Sequence, residues 1–125
     1  MAKHEKRLEA MEWTEKLWSL CKRKGKRVAF ENPVGVLGHT SLGKATQYVQ
    51  PWQHGHPESK KTGLWLHNLP ELRETKNDYE EMMKLPRKER MRLHYLPPSK
   101  DRWKVRSKTF DGVAEAICDQ WSPIL

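Results

Sequence analysis

The chain has 125 residues, with 24 Lys or Arg against 16 Asp or Glu and a net charge of +8. At 14.8 kDa it is one domain or part of one, too short for a two-domain enzyme. It has no apolar run long enough to span a membrane, and the charged start MAKHEKRLEAMEW lacks the apolar stretch of a signal peptide, so the expected location is the cytoplasm. Cys21 and Cys118 are too few for a disulfide framework or a four-ligand zinc site.

Residues 5–24 place Leu8, Met11, Trp18 and Cys21, beside Ala10, Trp13, Leu17 and Leu20, at helical spacing, which predicts a helix. Gly25 is expected to end it as the residue after the C-cap, with Lys22, Arg23 and Lys24 against the negative end of its dipole. Arg27-Val28-Ala29-Phe30 reads as a strand running into Glu31-Asn32-Pro33, where proline ends regular pairing. Residues 34–57 carry Gly, Pro and His without a period and read as loop, with one short strand at Gln47–Val49. Gly63-Leu64-Trp65-Leu66 is a further strand, closed by Asn68-Leu69-Pro70. Residues 77–93 are helix-like but divided by Pro86, expected at the first position of a second short helix. After Pro97-Pro98, residues 102–108 read as an extended basic segment. A last helix, Asp111–Trp121, should turn Phe110, Val113, Ala114, Ile117 and Trp121 inward.

Charge follows these elements unevenly. Residues 1–30 hold nine basic against four acidic side chains and residues 84–108 ten against two, whereas 31–83 and 109–125 are net acidic. Such blocks suit an anionic partner or, equally, a solvated surface.

Three stretches carry candidate chemistry. In Glu31-Asn32-Pro33-Val34-Gly35 a carboxylate follows a strand and the chain then turns away, so Glu31 is either a group that accepts from a base's amino edge, an acid/base, or a solvated turn residue. In residues 50–62, His54 and His56 fall short of a zinc ligand set, while Lys60-Lys61 before a strand suit phosphate contact or plain solvation. In residues 102–108, alternating Arg102, Lys104, Arg106 and Lys108 along an extended chain would track a phosphate backbone while Trp103 stacks on a base; the alternative is a solvated strand with an anchoring tryptophan. No nucleophile stands out, and Cys21 and Cys118 read as buried fillers.

In chain order, Val28-Ala29-Phe30-Glu31-Asn32-Pro33-Val34-Gly35, Gln50-Pro51-Trp52-Gln53-His54-Gly55-His56-Pro57-Glu58-Ser59-Lys60-Lys61-Thr62-Gly63-Leu64-Trp65-Leu66, Leu69-Pro70 and Arg102-Trp103-Lys104-Val105-Arg106-Ser107-Lys108-Thr109-Phe110-Asp111-Gly112-Val113-Ala114 resemble phage-encoded cytosine-5 DNA methyltransferase-like proteins. The resemblance implies that Glu31 and Asn32 match the Glu-Asn-Val motif that holds a flipped cytosine, with Pro33 in place of valine. It also implies that residues 55–66 are a diverged Gln-x-Arg-x-Arg segment, with Lys60 and Thr62 replacing the two arginines and Lys61 between them. The family's glycine-rich turn for S-adenosylmethionine and its Pro-Pro-Cys loop do not occur in these 125 residues, which resemble the C-terminal half alone.

The resulting expectation is an α/β fold, an incomplete, partial Rossmann-like methyltransferase sheet with flanking helices. Within it, residues 1–75 form the core, 76–101 a variable insert, and 102–125 the basic segment and closing helix. The chain is expected to bind DNA through Lys60, Lys61, Thr62, Arg102, Trp103, Lys104, Arg106 and Lys108, with no metal and no cofactor of its own. S-adenosylmethionine enters only if a complementary half completes the domain. Such a half or a homodimer is the expected protein partner, and the compartment, if phage-encoded, is the host cytoplasm. The competing expectation is a small phage accessory protein whose basic surface contacts a host protein.

Overall fold

A computed structural model of the chain describes residues 3–33 and 36–125. It contains helix α1 (Lys3–Lys24), strands β1 (Val28–Pro33), β2 (Gln47–Val49) and β3 (Thr62–His67), short helices α2 (Tyr79–Met83), α3 (Arg87–Arg90) and α4 (Arg102–Ser107), and helix α5 (Asp111–Trp121). Single 3-10 turns stand at Val36–His39, Pro51–Gln53 and Ser122–Ile124. Among the described residues no helix is long and apolar enough to cross a membrane. The fold is mixed α and β, with one small antiparallel sheet in the order β1-β3-β2.

Two compact units divide the chain, and each is interrupted by the other. Unit 1 comprises residues 1–48 and 62–71, unit 2 residues 49–61 and 72–125.

In unit 1, β1 and β3 pair in antiparallel register from Val28 opposite His67 to Pro33 opposite Thr62. Pro33 lacks an N–H and stands at the last pair, where its missing donor costs the ladder least. Asn68, at φ 56°, turns the chain out of β3, and its side-chain amide donates to the Lys26 carbonyl at 2.9 Å. The core of the unit is Trp18, Leu37 and Trp65, against which Val28, Phe30, Leu42 and Ala45 pack. Trp18 meets the Phe30 ring edge-on at 5.0 Å, and the Trp65 indole N–H donates to the Gly43 carbonyl at 2.9 Å.

Helix α1 buries much less than its apolar content suggests. Trp18 is its one buried residue, and Met11, Thr14, Glu15, Leu17 and Cys21 are half-buried around it. Leu8, Trp13 and Leu20 face solvent, because apolar residues run around the helix rather than along one stripe. Glu15 accepts the Ser41 hydroxyl at 2.6 Å, tying the helix to the loop before β2. The helix stops at Gly25 as expected, but by another device. No left-handed turn forms there; instead the Gly25 N–H closes on the Cys21 carbonyl at 2.6 Å, and a Cβ would stand 2.8 Å from that oxygen.

In unit 2, Val113, Ala116 and Trp121 form the buried side of α5. Ala114 is exposed, contrary to expectation, because the three-residue step from Val113 reaches Ala116. Cys118 is also exposed rather than a buried filler, since it lies on the opposite side of α5. Pro86 is the N-cap of α3, with ψ 150°, and Arg87 is the first helical residue.

The largest departure is at residues 102–108. They form no extended segment: Arg102–Ser107 is helix α4, begun by Lys104 and Val105 N–H groups on the Asp101 carbonyl. The segment is exposed at every residue but Arg102. A strand there would have no neighbour to pair with, whereas a helix satisfies its backbone locally.

Candidate functional site

Within unit 1, Glu31 and Asn32 stand near the end of pairing in β1, opposite Leu64 and Gly63. Both line a groove of about 510 Å³ between β1 and α1. Its apolar lining includes Met11, Leu17, Phe30 and Leu37. Its other polar contributors are Arg7 and Thr14, which with Trp13 come from α1. Trp13 is 65% exposed, so its ring forms a rim rather than part of the core. Glu31 is exposed, and Asn32 half-buried. Val34 and Gly35, which complete the motif in sequence, lie outside the described residues.

Within unit 2, Lys60 and Lys108 come together, the Lys60 ammonium donating to the Lys108 carbonyl at 3.4 Å, although they are 48 residues apart. In α4, Trp103 is 66% exposed, and the Lys104 ammonium stands 5.7 Å over its ring and 3.8 Å from Asp101. Arg106 and Lys108 are exposed. Arg102 differs: it is half-buried, and its Nε is shielded without a hydrogen-bond partner. Because α4 is helical, Arg102, Lys104 and Arg106 fan around an axis instead of lining one edge. Lys61 is exposed, while Thr62, in unit 1, is buried at the start of β3 and pairs with Pro33.

The histidine pair has a role that sequence spacing does not suggest. His54 is buried, and its Nδ1 lies 3.0 Å from the Thr75 hydroxyl. Burial pushes its pKa below the ordinary value of 6.5; Glu74 pulls in the opposite direction and His56 adds to the lowering. The Nε2 of His56 accepts the N–H of Gly112 at 3.0 Å, so that nitrogen carries no proton. Gly112 is in the first turn of α5, whose N-cap, Phe110, has no side-chain acceptor. An imidazole from 56 residues upstream therefore satisfies a donor that the local sequence leaves open. The signal legible in the sequence is a helix start with no Ser, Thr, Asp or Asn at its cap.

His56 also borders a second groove, about 470 Å³, together with Phe110, Lys108 and the Arg92–Glu58 ion pair at 2.8 Å. Among the described residues no group of three or more His, Cys, Asp or Glu is placed to hold a metal ion.

Comparisons of the chain with models of protein families, with curated proteins and with solved structures find no match in any of the three.

Proposed function

We propose that the chain is a DNA-binding domain of cytosine-5 methyltransferase-like type that holds DNA without transferring a methyl group by itself. The observation that carries this reading is the cationic surface of unit 2. Lys104, Arg106 and Lys108 stand exposed beside an exposed tryptophan, and Lys60 joins Lys108 from a distant part of the chain. Ammonium and guanidinium groups left in water gain by releasing counterions from a phosphate backbone, and a solvent-facing indole offers a stacking face.

Glu31 and Asn32 support the same reading from unit 1. They line an open groove at a strand end, suited to the hydrogen-bonding edge of a base. The sheet itself is antiparallel, with β3 between β1 and β2, so it lends no support to the Rossmann-like part of the reading. The Pro-Pro-Cys sequence is absent from these residues, so Glu31 has no cysteine nucleophile to serve here.

The test is replacement of Lys104, Arg106 and Lys108 by glutamate, followed by DNA binding across a salt series. Affinity should fall, and the slope of log affinity on log salt should flatten by roughly 2 to 3, about one for each phosphate no longer neutralised. Binding equal to the wild type at every salt concentration would overturn the DNA role. The accessory-protein reading is favoured by one observation, the 66% exposure of Trp103 on α4. It predicts no DNA binding at moderate salt, together with a stable complex with a host protein that is lost on replacing Trp103.

A further inference from the structure

We infer that α1 pairs antiparallel with α1 of a second copy of the chain, through a stripe of apolar side chains that its own core leaves uncovered. This pairing does not rest on the DNA reading.

Helix α1 carries two apolar faces. One holds the buried Trp18 and the half-buried Met11. The other runs Ala10, Trp13, Leu17 and Leu20, spaced three, four and three residues apart, the alternation that keeps side chains on the seam between two packed helices. Ala10, Trp13 and Leu20 are exposed, Trp13 to 65% and Leu20 to 40%, and Leu17 is half-buried. Four residues beyond either end stand Lys6 and Lys24, so cations bound the stripe. Ala10, Trp13 and Leu17 also border the open groove against β1, which leaves room beside them for a second helix.

Charge selects both the partner and the register. Across a two-fold axis, if residue i meets residue j of the partner, j meets i. Ala10 set against the partner's Leu20 aligns the apolar layers, but it puts Lys16 beside the partner's Lys16 and Lys6 beside the partner's Lys24. Shifted by one heptad, Trp13 covers the partner's Ala10, a large ring on a small side chain, and the stem of Lys6 lies along the partner's Leu17. Glu9 and Lys16, both exposed and flanking the stripe on the same side, then meet across the axis at two equivalent contacts. A parallel pair has no such contact, since Glu9 would face Thr14 and Lys16 would face Cys21. The stripe is thus self-complementary in the antiparallel sense.

Sedimentation velocity of the full chain tests this. The wild type should approach twice 14.8 kDa as concentration rises. Trp13→Ala, at an exposed site, should keep the wild-type circular dichroism while raising the dimer dissociation constant at least tenfold. Glu9→Lys and Lys16→Glu should each raise it about tenfold to a hundredfold, because each turns two attractions into two repulsions. Mixing these two variants restores opposite charges at both contacts, so they should pair with each other at near wild-type strength. A wild type that stays monomeric up to its solubility limit would overturn the inference, whatever other protein the stripe then bound. A dimer indifferent to Trp13→Ala would do the same, as would two folded charge variants that stay apart when mixed. No nucleic acid enters the measurement, so its failure leaves the DNA reading standing.

Discussion

The two units hold themselves together differently. Unit 1 closes on large rings, with Trp18, Phe30 and Trp65 around Leu37. Unit 2 buries apolar residues too, among them Met82, Leu93, Val113 and Trp121, but it fixes distant stretches of chain with individual hydrogen bonds. Gly112 reaches His56, Arg73 exchanges two bonds with Gln120 at 2.7 and 2.9 Å, and Arg92 reaches Glu58. The difference separates residues that resemble a site from residues free to act as one. In unit 2 His54 and His56 are committed to the fold, whereas in unit 1 an aromatic ring and a carboxylate remain at the surface after the core is complete.

This contrast can be broken by substitution. The largest effect is expected for Trp65→Ala, which empties the ring cluster and leaves the Gly43 carbonyl without its indole donor. A loss of about 4 kcal/mol in urea unfolding is expected. Hydrogen exchange should show the loss of protection beginning in residues 28–33 and 62–67, and uniform loss across residues 72–125 at the same rate would contradict separate cores.

Next comes Gly112→Ala. An added Cβ would collide with the His54 carbonyl oxygen and crowd the His56 ring, and backbone has little room to yield. A destabilisation of about 3 kcal/mol is expected, with protection lost in α5; a neutral result would mean that the 54–56 loop is not seated on α5.

His56→Ala should cost about 1 kcal/mol, the usual value of a missing helix N-terminal acceptor. Backbone NMR checks it directly, since the Gly112 amide signal should move while those of β1 and β3 stay in place.

The smallest effect is on pH dependence. His54 titrates lower when folded than its ordinary 6.5, because burial disfavours the imidazolium. Between those two values the unfolded chain binds more protons, so stability is complete above about pH 6.5 and declines as pH falls through that window. Denaturant midpoints at pH 7 and pH 5 should differ in that sense, and His54→Gln should reduce the difference. Equal midpoints in the wild type would remove His54 from the account.

Much of the fold is legible in the sequence because local rules and tertiary packing agree. Gly25, Pro33 and Asn68 mark boundaries that the structure respects, and the apolar runs at 28–30 and 63–66 pair as β1 and β3. Helix α4 is hidden because Arg102, Lys104, Arg106 and Lys108 recur with the period of a strand. That pattern arises equally from a helix exposed nearly all round, where no face is selected and basic residues can stand anywhere. The modest burial of α1 is hidden too, because composition counts apolar residues without showing which lack a neighbour. Glu31 and Asn32 can be located by their position after a strand. Trp13 cannot, since its pairing with them exists only once α1 lies along β1.

The interleaving of the units has a consequence for the order of events during synthesis. Residues 1–48 of unit 1 await 62–71, and once residue 71 has left the ribosome all of that unit is present. The stretch 49–61 is then met first by Thr75, Lys76 and Asp78, whose N–H groups donate to the Trp52 and Gln53 carbonyls, and last by residue 112, the glycine that seats beneath His54 and donates to His56. Closing so long a loop is slow compared with local folding. A nascent chain halted after residue 71 would thus carry every residue of the β1–β3 pair and ring cluster, with an unanchored 49–61 loop open to chaperones or proteases.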